Sequence, residues 1–375
     1  MFCVSSSEGA REVPYLPEEL LLNCFSPNIE IVLRKTVLSL QEIPLSLLTS
    51  KELYKTRTLL GTTESCLHVI LFSSLWFTLC RRPTRPILSC FCRTWKNLLV
   101  SVPTHNLSSR PIRCARPAAV GSDIYMIGGC IKRELFVHCF NYEISTRVFV
   151  LDCLSYTWHE APSMHVPRII PLMTVIDETI YVVEGSKYNH SEYVIECFDT
   201  KTKIWETLPI PGAAMRIYQS LAIKGNLYLV GEKKNVVYKP KEKKWDAVGP
   251  EVHSPADTLS TCVVDNVSFW YSGKRQLEWW DSKARSWRAL KGCERLRNLK
   301  GKIRIVNYGR KIAVFWEQSV FGNLKKKIWF AEVTLEKRNN GQEICGEVSA
   351  LMLFLQAQCF LSIILVFLLF DELSS

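Results

Sequence analysis

The chain has 375 residues, of which 47% are hydrophobic and only 22% are charged. With 11 Trp, 13 Tyr and 17 Phe, this composition excludes a mainly disordered chain, because so many aromatic side chains need a packed core. The formal net charge is +11, and residues 201–340 carry 28 Lys plus Arg against 13 Asp plus Glu. These basic residues stand in short runs between apolar stretches and do not cluster along one helix, so we predict no nucleic-acid binding.

The first 60 residues divide into two parts. Residues 1–13 are predicted to be a flexible N-terminus. In residues 14–60 the leucines recur at helical rather than alternating spacing, which indicates a small helical segment. Its first helix contains three leucines and a proline at a position that helix starts tolerate: Leu16, Pro17, Leu20 and Leu21.

Five later segments share the order strand, tight turn, strand. They begin at Ala118, Thr174, Leu221, Cys262 and Arg304. In each, a short apolar run precedes a turn containing Gly, Asp or Asn, and a run of β-branched and aromatic residues follows, which is typical of a β-hairpin. Glycines close four of these hairpins, the first with a pair: Gly128 and Gly129, then Gly185, Gly231 and Gly273.

A second signature follows the first four hairpins, with a polar residue six positions before a Trp. The pairs are Asp152 and Trp158, Asp199 and Trp205, Lys239 and Trp245, and Asp281 and Trp287. An Asp at a strand end can accept hydrogen bonds from backbone N–H groups of the turn, and the Trp would open the next strand and pack against a neighbouring repeat. Successive Trp residues are 47, 40 and 42 positions apart, which is the length of a four-stranded propeller blade.

We therefore predict a mainly β protein whose residues 66–348 form a β-propeller. Residues 66–103 are interpreted as an earlier, poorer blade. Residues 303–348 are interpreted as a last blade, in which Ile344 and Cys345 occupy roughly the place of the missing Trp. Both together give six blades, with five as the alternative. A propeller closes into a ring because closure removes exposed strand edges.

The C-terminal segment 350–370 contains no charged residue and has 14 Leu, Ile, Val or Phe. Its length and composition meet the test for a membrane-spanning helix. Two interpretations stay open. The segment is either a tail anchor in a membrane, or a divergent terminus that is buried or prone to aggregation.

No catalytic, cofactor-binding or metal-binding site is predicted. The chain lacks the glycine-rich phosphate loops and the hydrolase and zinc-protease motifs, and no two of its seven His share a standard ligand spacing. Its 15 Cys include no C-x-x-C pair, and no secretory signal is visible at the start. We therefore expect reduced, mostly buried thiols in a non-enzymatic protein of a reducing compartment.

The repeats resemble kelch repeats in degenerate form. The resemblance rests on Gly128-Gly129, on the spaced Trp residues and on the aromatic residues Tyr125, Tyr181 and Tyr228. Segment 14–60 resembles the F-box, because Leu16-Pro17 precedes a leucine-rich helix and Ser50-Lys51-Glu52-Leu53 stands near its end. Between Phe25 and Leu45 the sequence departs from the F-box pattern.

Taken together, these features resemble the plant F-box/kelch-repeat proteins over nearly the whole chain. The resemblance implies the substrate-recognition subunit of an SCF-type E3 ubiquitin ligase, located in the cytoplasm, the nucleus or both. Residues Leu16, Pro17, Leu20 and Leu21 would bind a Skp-type adaptor of a cullin complex, and the propeller would bind an unknown target protein. The alternative is a non-catalytic kelch scaffold with a vestigial F-box, anchored in one version to the cytosolic face of a membrane through residues 350–370.

Overall fold

The computed structural model describes the propeller region and none of the residues before it. The described ranges are 66–71, 75–81, 97–101, 114–132, 142–153, 157–183, 194–211, 217–231, 234–248, 261–319, 325–339, 342–358 and 363–368. All of them belong to one compact unit. The predicted flexible N-terminus, 1–13, and the predicted helical segment, 14–60, lie outside the described residues.

The described residues form 26 strands, numbered in chain order. The first thirteen are β1 (Cys66–Leu71), β2 (Leu75–Arg81), β3 (Asn97–Ser101), β4 (Arg116–Val120), β5 (Asp123–Ile127), β6 (Cys130–Lys132), β7 (Tyr142–Ile144), β8 (Val148–Asp152), β9 (Thr157–Ala161), β10 (Leu172–Ile176), β11 (Thr179–Val183), β12 (Val194–Asp199) and β13 (Ile204–Pro209). The others are β14 (Ile217–Ile223), β15 (Asn226–Gly231), β16 (Asn235–Lys239), β17 (Lys244–Ala247), β18 (Thr261–Val264), β19 (Val267–Tyr271), β20 (Leu277–Asp281), β21 (Ser286–Ala289), β22 (Ile303–Tyr308), β23 (Lys311–Ser319), β24 (Lys325–Arg338), β25 (Glu343–Gln358) and β26 (Ile363–Leu368). Two short 3-10 turns, Pro240–Glu242 and Glu294–Leu296, are the helical elements of the described part.

These strands form antiparallel four-stranded sheets. Five sheets each use one continuous stretch of chain, in the orders β4-β5-β8-β9, β10-β11-β12-β13, β14-β15-β16-β17, β18-β19-β20-β21 and β22-β23-β24-β25. We call these the second to sixth sheets. The first sheet has the order β26-β1-β2-β3 and so combines strands from both ends of the described region. Strands β6 and β7 form a separate two-stranded ribbon between β5 and β8.

The innermost strands of the sheets contact one another in a closed ring, β26, β4, β10, β14, β18, β22 and back to β26. Side-chain hydrogen bonds link several of these strands. The Thr174 hydroxyl on β10 donates to the Ser220 hydroxyl on β14 over 2.7 Å, and the Asn307 side-chain amide on β22 donates to the Val263 carbonyl on β18 over 3.0 Å. The prediction of a mainly β, kelch-type propeller is confirmed.

The position of a strand within its sheet explains its composition. The second strands lie between neighbouring sheets on both faces, and β5 buries Ile124, Tyr125, Met126 and Ile127 in succession. Such strands read as continuous apolar runs. Outermost strands such as β13 have several exposed residues. Each fully buried aliphatic or aromatic side chain contributes about 1.5–3 kcal/mol to stability, so the second strands contribute most to holding adjacent sheets together.

The apolar C-terminal segment forms strands where the structure describes it. The propeller was expected to end at residue 348, but β25 continues to Gln358 as the outermost strand of the sixth sheet. Strand β26 pairs with β1 from Ile363 opposite Leu71 to Leu368 opposite Cys66. It also contacts β4 and β22, so this strand closes the ring. No helix among the described residues is long and apolar enough to cross a membrane.

His68 on β1 makes the stability of the propeller depend on pH. The side chain is only 2% exposed, and burial lowers its pKa from 6.5 to about 4, because the imidazolium form would lose its hydration. The unfolded chain takes up a proton below pH 6.5, whereas the folded chain does so only near pH 4. Stability from the neutral imidazole is therefore lost as the pH falls, by about 2 kcal/mol between about pH 7.5 and about pH 5.

Urea unfolding at these two pH values tests this expectation. His68→Gln should lose about 2 kcal/mol less than the unsubstituted protein on acidification. His159, which is exposed, supplies the matched control, and His159→Gln should keep the full acid loss. An equal acid loss in all three proteins would show that His68 is not the responsible group.

Candidate binding surface

The second sheet needs two glycines after β5, because another segment of the backbone passes very close to them. Gly128 and Gly129 have positive φ of 68° and 97°. A Cβ on Gly128 would lie 2.4 Å from the backbone oxygen of Arg168, and the Gly129 N–H donates to that same oxygen over 2.7 Å. Arg168 belongs to the linker between β9 and β10. The glycine pair therefore lets this linker cross tightly over the end of β5.

Gly273, which closes the fourth hairpin, lacks this requirement. Gly231 ends β15 opposite Ile217. Gly273 has open space where a Cβ would stand, so a larger residue could occupy its position. Gly185 lies outside the described residues.

Two of the predicted Asp residues bind the turns that follow them. Asp199 Oδ1 accepts hydrogen bonds from the N–H groups of Lys201 (2.8 Å) and Thr202 (3.1 Å). The backbone hydrogen bonds from Thr202 and Lys201 hold the pKa of Asp199 below its usual range. Asp281 Oδ1 accepts in the same way from Lys283 (2.9 Å) and Ala284 (3.0 Å). Asp152 ends β8 and stands opposite Asp123 and Thr157.

Each of the four spaced Trp residues is the second residue of the outermost strand of its sheet. They are Trp158 on β9, Trp205 on β13, Trp245 on β17 and Trp287 on β21. The ring centroids of Trp205 and Phe198 lie 4.7 Å apart. The Trp205 Nε1–H donates to the Pro162 carbonyl of the preceding linker over 2.8 Å. In the sixth sheet the second residue of β25 is Ile344. The sequence pattern placed the missing Trp roughly here, at Ile344 and Cys345.

A buried ion pair, missed from the sequence, locks the second sheet to the third. Glu196 on β12 is 0% exposed and Arg168 is 3% exposed. The Arg168 Nε–H donates to Glu196 Oε2 over 2.9 Å, and its Nη2–H donates to the Val194 carbonyl over 2.9 Å. Glu196 Oε1 also accepts from the N–H groups of His165 and Val166. A carboxylate inside the apolar run of β12 was the available sequence signal.

Ten exposed Lys and Arg residues lie where the first strand of a sheet turns into the second or the third into the fourth. We call this side of the propeller the turn face. Contacts between turns show that successive sheets have their turns on the same side. The Lys224 N–H of the fourth sheet donates to Asn266 Oδ1 of the fifth over 2.6 Å, and Arg310 of the sixth sheet pairs with Asp265 of the fifth. The exposed basic residues of the turn face are Lys201, Lys203, Lys224, Lys241, Lys243, Lys283, Arg285, Arg310, Lys337 and Arg338. About half of the exposed Lys and Arg residues that the structure describes in residues 201–340 therefore lie on this side.

A groove opens on the turn face between the fifth and sixth sheets. Its main cavity, of about 420 Å³, is lined by Val267, Trp279, Trp280, Asp281, Ser282, Lys283, Ala284, Arg288, Lys337, Gln342 and Ile344. A second cavity of about 220 Å³ shares Val267, Lys337 and Ile344 with it and adds Asp265 and Arg310. We call the two together the basic groove. A groove with an apolar floor and charged walls suits a peptide segment better than a compact metabolite.

The charge balance of the basic groove is positive. Asp281 is paired with Arg288, whose Nε lies 2.8 Å from Oδ2. Asp265 is paired with Arg310 through Nε–Oδ1 and Nη2–Oδ2 hydrogen bonds of 3.1 and 3.2 Å. Lys283 and Lys337, both exposed, add two further positive charges. The groove therefore presents a net charge of two positive units to a partner.

The described residues contain no cluster of metal ligands and no disulfide. Within them, no three His, Cys, Asp or Glu side chains are grouped to hold a metal ion. The seven cysteines whose side chains the structure describes form no disulfide. Burial raises the pKa of Cys197 and that of Cys293 to about 12, so these thiols stay protonated and unreactive near neutral pH.

The fold and its glycine, Asp and Trp positions define a kelch-type propeller, and comparison with known proteins gives the family. Residues 76–354 match the family described as FKB95, Kelch-repeats domain. The chain is 43% identical to the putative F-box/kelch-repeat protein At4g11770 of Arabidopsis thaliana, over 90% of this chain and 91% of that protein. It is 38% identical to the F-box/kelch-repeat protein At4g39580 of the same plant, over 89% and 87%. The chain belongs to the F-box/kelch-repeat protein family.

The predicted adaptor-binding residues Leu16, Pro17, Leu20 and Leu21 lie outside the described residues. Their proposed role therefore rests on the F-box resemblance of the sequence and on the family to which the chain belongs.

Proposed function

We propose that the protein is the substrate-recognition subunit of an SCF-type E3 ubiquitin ligase. The observation that carries this proposal is similarity to F-box/kelch-repeat proteins across about nine tenths of the chain. A closed propeller with a charged groove supports it, because such a scaffold is suited to holding a protein partner.

In this proposal the protein works by proximity and performs no bond chemistry. Leu16, Pro17, Leu20 and Leu21 anchor a helix in an apolar groove of a Skp-type adaptor, where a few buried side chains supply most of the binding energy. The propeller holds the target protein close to the ubiquitin-transferring part of the cullin complex. The proposed location is the cytoplasm, the nucleus or both.

Co-precipitation of the full chain with a Skp-type adaptor tests the proposal. The unsubstituted protein should retain the adaptor. In Leu16→Ala/Leu20→Ala the affinity for the adaptor should fall by about a hundredfold or more, since each buried Leu supplies about 1.5–3 kcal/mol. Cooperative urea unfolding of the variant must stay unchanged, which shows that its propeller is intact. Equal retention of the adaptor by both proteins, or by neither, contradicts the proposal.

A kelch scaffold without ligase contact is the second candidate. It is favoured by the departure from the F-box pattern between Phe25 and Leu45. This candidate predicts a folded propeller that captures target proteins and never the adaptor. An anchored version of either candidate predicts that the full chain floats with lipid vesicles.

A further inference from the structure

We infer that the basic groove binds an acidic segment of a target protein and accepts an apolar side chain of that segment in its main cavity. The inference rests on the proposed function only for the statement that the bound protein is a ligase target. The chemistry of the bound segment is argued from the groove itself.

The shape of the groove follows from one residue. In four other sheets a Trp stands second in the outermost strand. Trp205 shows what the ring does there, because it packs in one core cluster with Tyr125, Ile127 and Val148 of the preceding sheet. In the sixth sheet the smaller Ile344 takes this position, and it lines both cavities. The missing ring leaves space between the fifth and sixth sheets.

The floor of this space is apolar and belongs to the packed core. Ile344 and Trp279 belong to one core cluster shared by the fifth and sixth sheets, in which they are 3% and 5% exposed. Val267 packs against the same cluster. An apolar side chain entering the main cavity would therefore displace water from an apolar surface, which favours binding.

The walls select for negative charge. Arg288 and Arg310 already neutralise Asp281 and Asp265, so the charges of Lys283 and Lys337 remain to be matched. Both lysines line the main cavity, and carboxylates on either side of the inserted apolar side chain would meet them. A nucleic acid offers no aliphatic side chain for the main cavity, so an acidic peptide fits the groove better.

Fluorescence anisotropy with the full chain tests the inference. The probe is a labelled peptide of sequence Glu-Asp-Glu-Leu-Glu-Asp-Glu, and the comparison peptide is Gln-Asn-Gln-Leu-Gln-Asn-Gln. The acidic peptide should bind about tenfold more tightly than the neutral one, and raising the salt concentration should weaken its binding because the charges are partly exposed. A single-stranded oligonucleotide should not compete with it.

Three variants locate the site. Lys283→Glu/Lys337→Glu should weaken binding of the acidic peptide by about tenfold or more. Ile344→Trp, which installs the residue of the other sheets, should fill the cavity and weaken binding similarly. Lys241→Glu/Lys243→Glu makes the same charge change on the turn between β16 and β17, outside the groove, and should leave binding unchanged.

Several outcomes overturn the inference: no binding of the acidic peptide, equal binding of the neutral peptide, competition by the oligonucleotide, or equal loss in the Lys241→Glu/Lys243→Glu control. If Ile344→Trp unfolds, the two lysine variants still decide. Adaptor co-precipitation is measured separately. Adaptor retention without peptide binding would contradict only this inference. Peptide binding without adaptor retention would contradict only the proposed ligase role.

Discussion

A chain ending at Gln358 is expected to lose the folded propeller. This deletion removes β26, which pairs with β1 along its whole length and contacts β4 and β22 on either side. Without it the ring opens, the inner edge of β1 becomes free to pair with other chains, and β4 and β22 lose a packing neighbour. The loss is on the order of the whole stability of a typical domain, about 5–15 kcal/mol.

Limited proteolysis and size-exclusion chromatography measure this effect. The full chain should give a protease-resistant propeller that elutes as a compact species, whereas the shortened chain should be degraded or aggregate. A chain lacking only residues 371–375 supplies the matched control, because β26 ends at Leu368, and it should behave as the full chain does. A resistant propeller in the chain ending at Gln358 would contradict the role assigned to β26.

The same pair of chains bears on the tail-anchor interpretation. Residues 363–368 cannot close the ring as a strand and cross a membrane as a helix at the same time. If β26 is needed for folding, the anchored version of the proposed function requires a propeller closed in another way. If the full chain both floats with lipid vesicles and gives the protease-resistant propeller, the anchored version is established.

The repeating part of the fold could be predicted from the sequence because its signals are local. Each hairpin lies within about a dozen residues, and the six-residue spacing from Asp199 to Trp205 spans a single turn between β12 and β13. The turn hydrogen bonds of Asp199 and Asp281 involve residues only two and three positions away. Local chemistry of this kind needs no knowledge of the ring.

The closing strand could not be predicted, because its partner is distant in the chain. Residues 363–368 pair with residues 66–71, and an apolar run by itself fits a buried strand and a buried helix equally well. The length and composition of the complete segment 350–370 also meet the test for a membrane-spanning helix, so the sequence leaves both a tail anchor and a buried terminus open. The structure divides its described part between β25 and β26, with each strand in a different sheet.

The basic groove could not be predicted from the sequence either, because it also depends on residues that are distant in the chain. The sequence pattern places Ile344 and Cys345 roughly where the repeat expects a Trp, and the structure shows that Ile344 takes the position. The consequence of that change depends on Trp279, Lys283 and Lys337, which come from β20, the turn after it and β24. Only the packing of the sixth sheet against the fifth brings these residues together.

Replacing Arg168 by Met is expected to destabilise the propeller by about 3–5 kcal/mol, because it leaves the fully buried Glu196 carboxylate without its charged partner. The exposed pair formed by Arg147 and Glu160 is a matched control. It has a similar Nε–Oε1 distance of 2.8 Å, but its side chains are 38% and 48% exposed. Arg147→Met should therefore cost about 1 kcal/mol or less.

Urea unfolding of the two variants and of the double variant Arg168→Met/Glu196→Leu measures the difference. The double variant should be more stable than Arg168→Met alone, since it removes the orphaned charge together with its partner. The result would also show how the linker between β9 and β10 is held. The Arg168 carbonyl accepts a hydrogen bond from the Gly129 N–H, while the Arg168 side chain pairs with Glu196. Equal losses in Arg168→Met and Arg147→Met would mean that the buried pair does not lock the second sheet to the third.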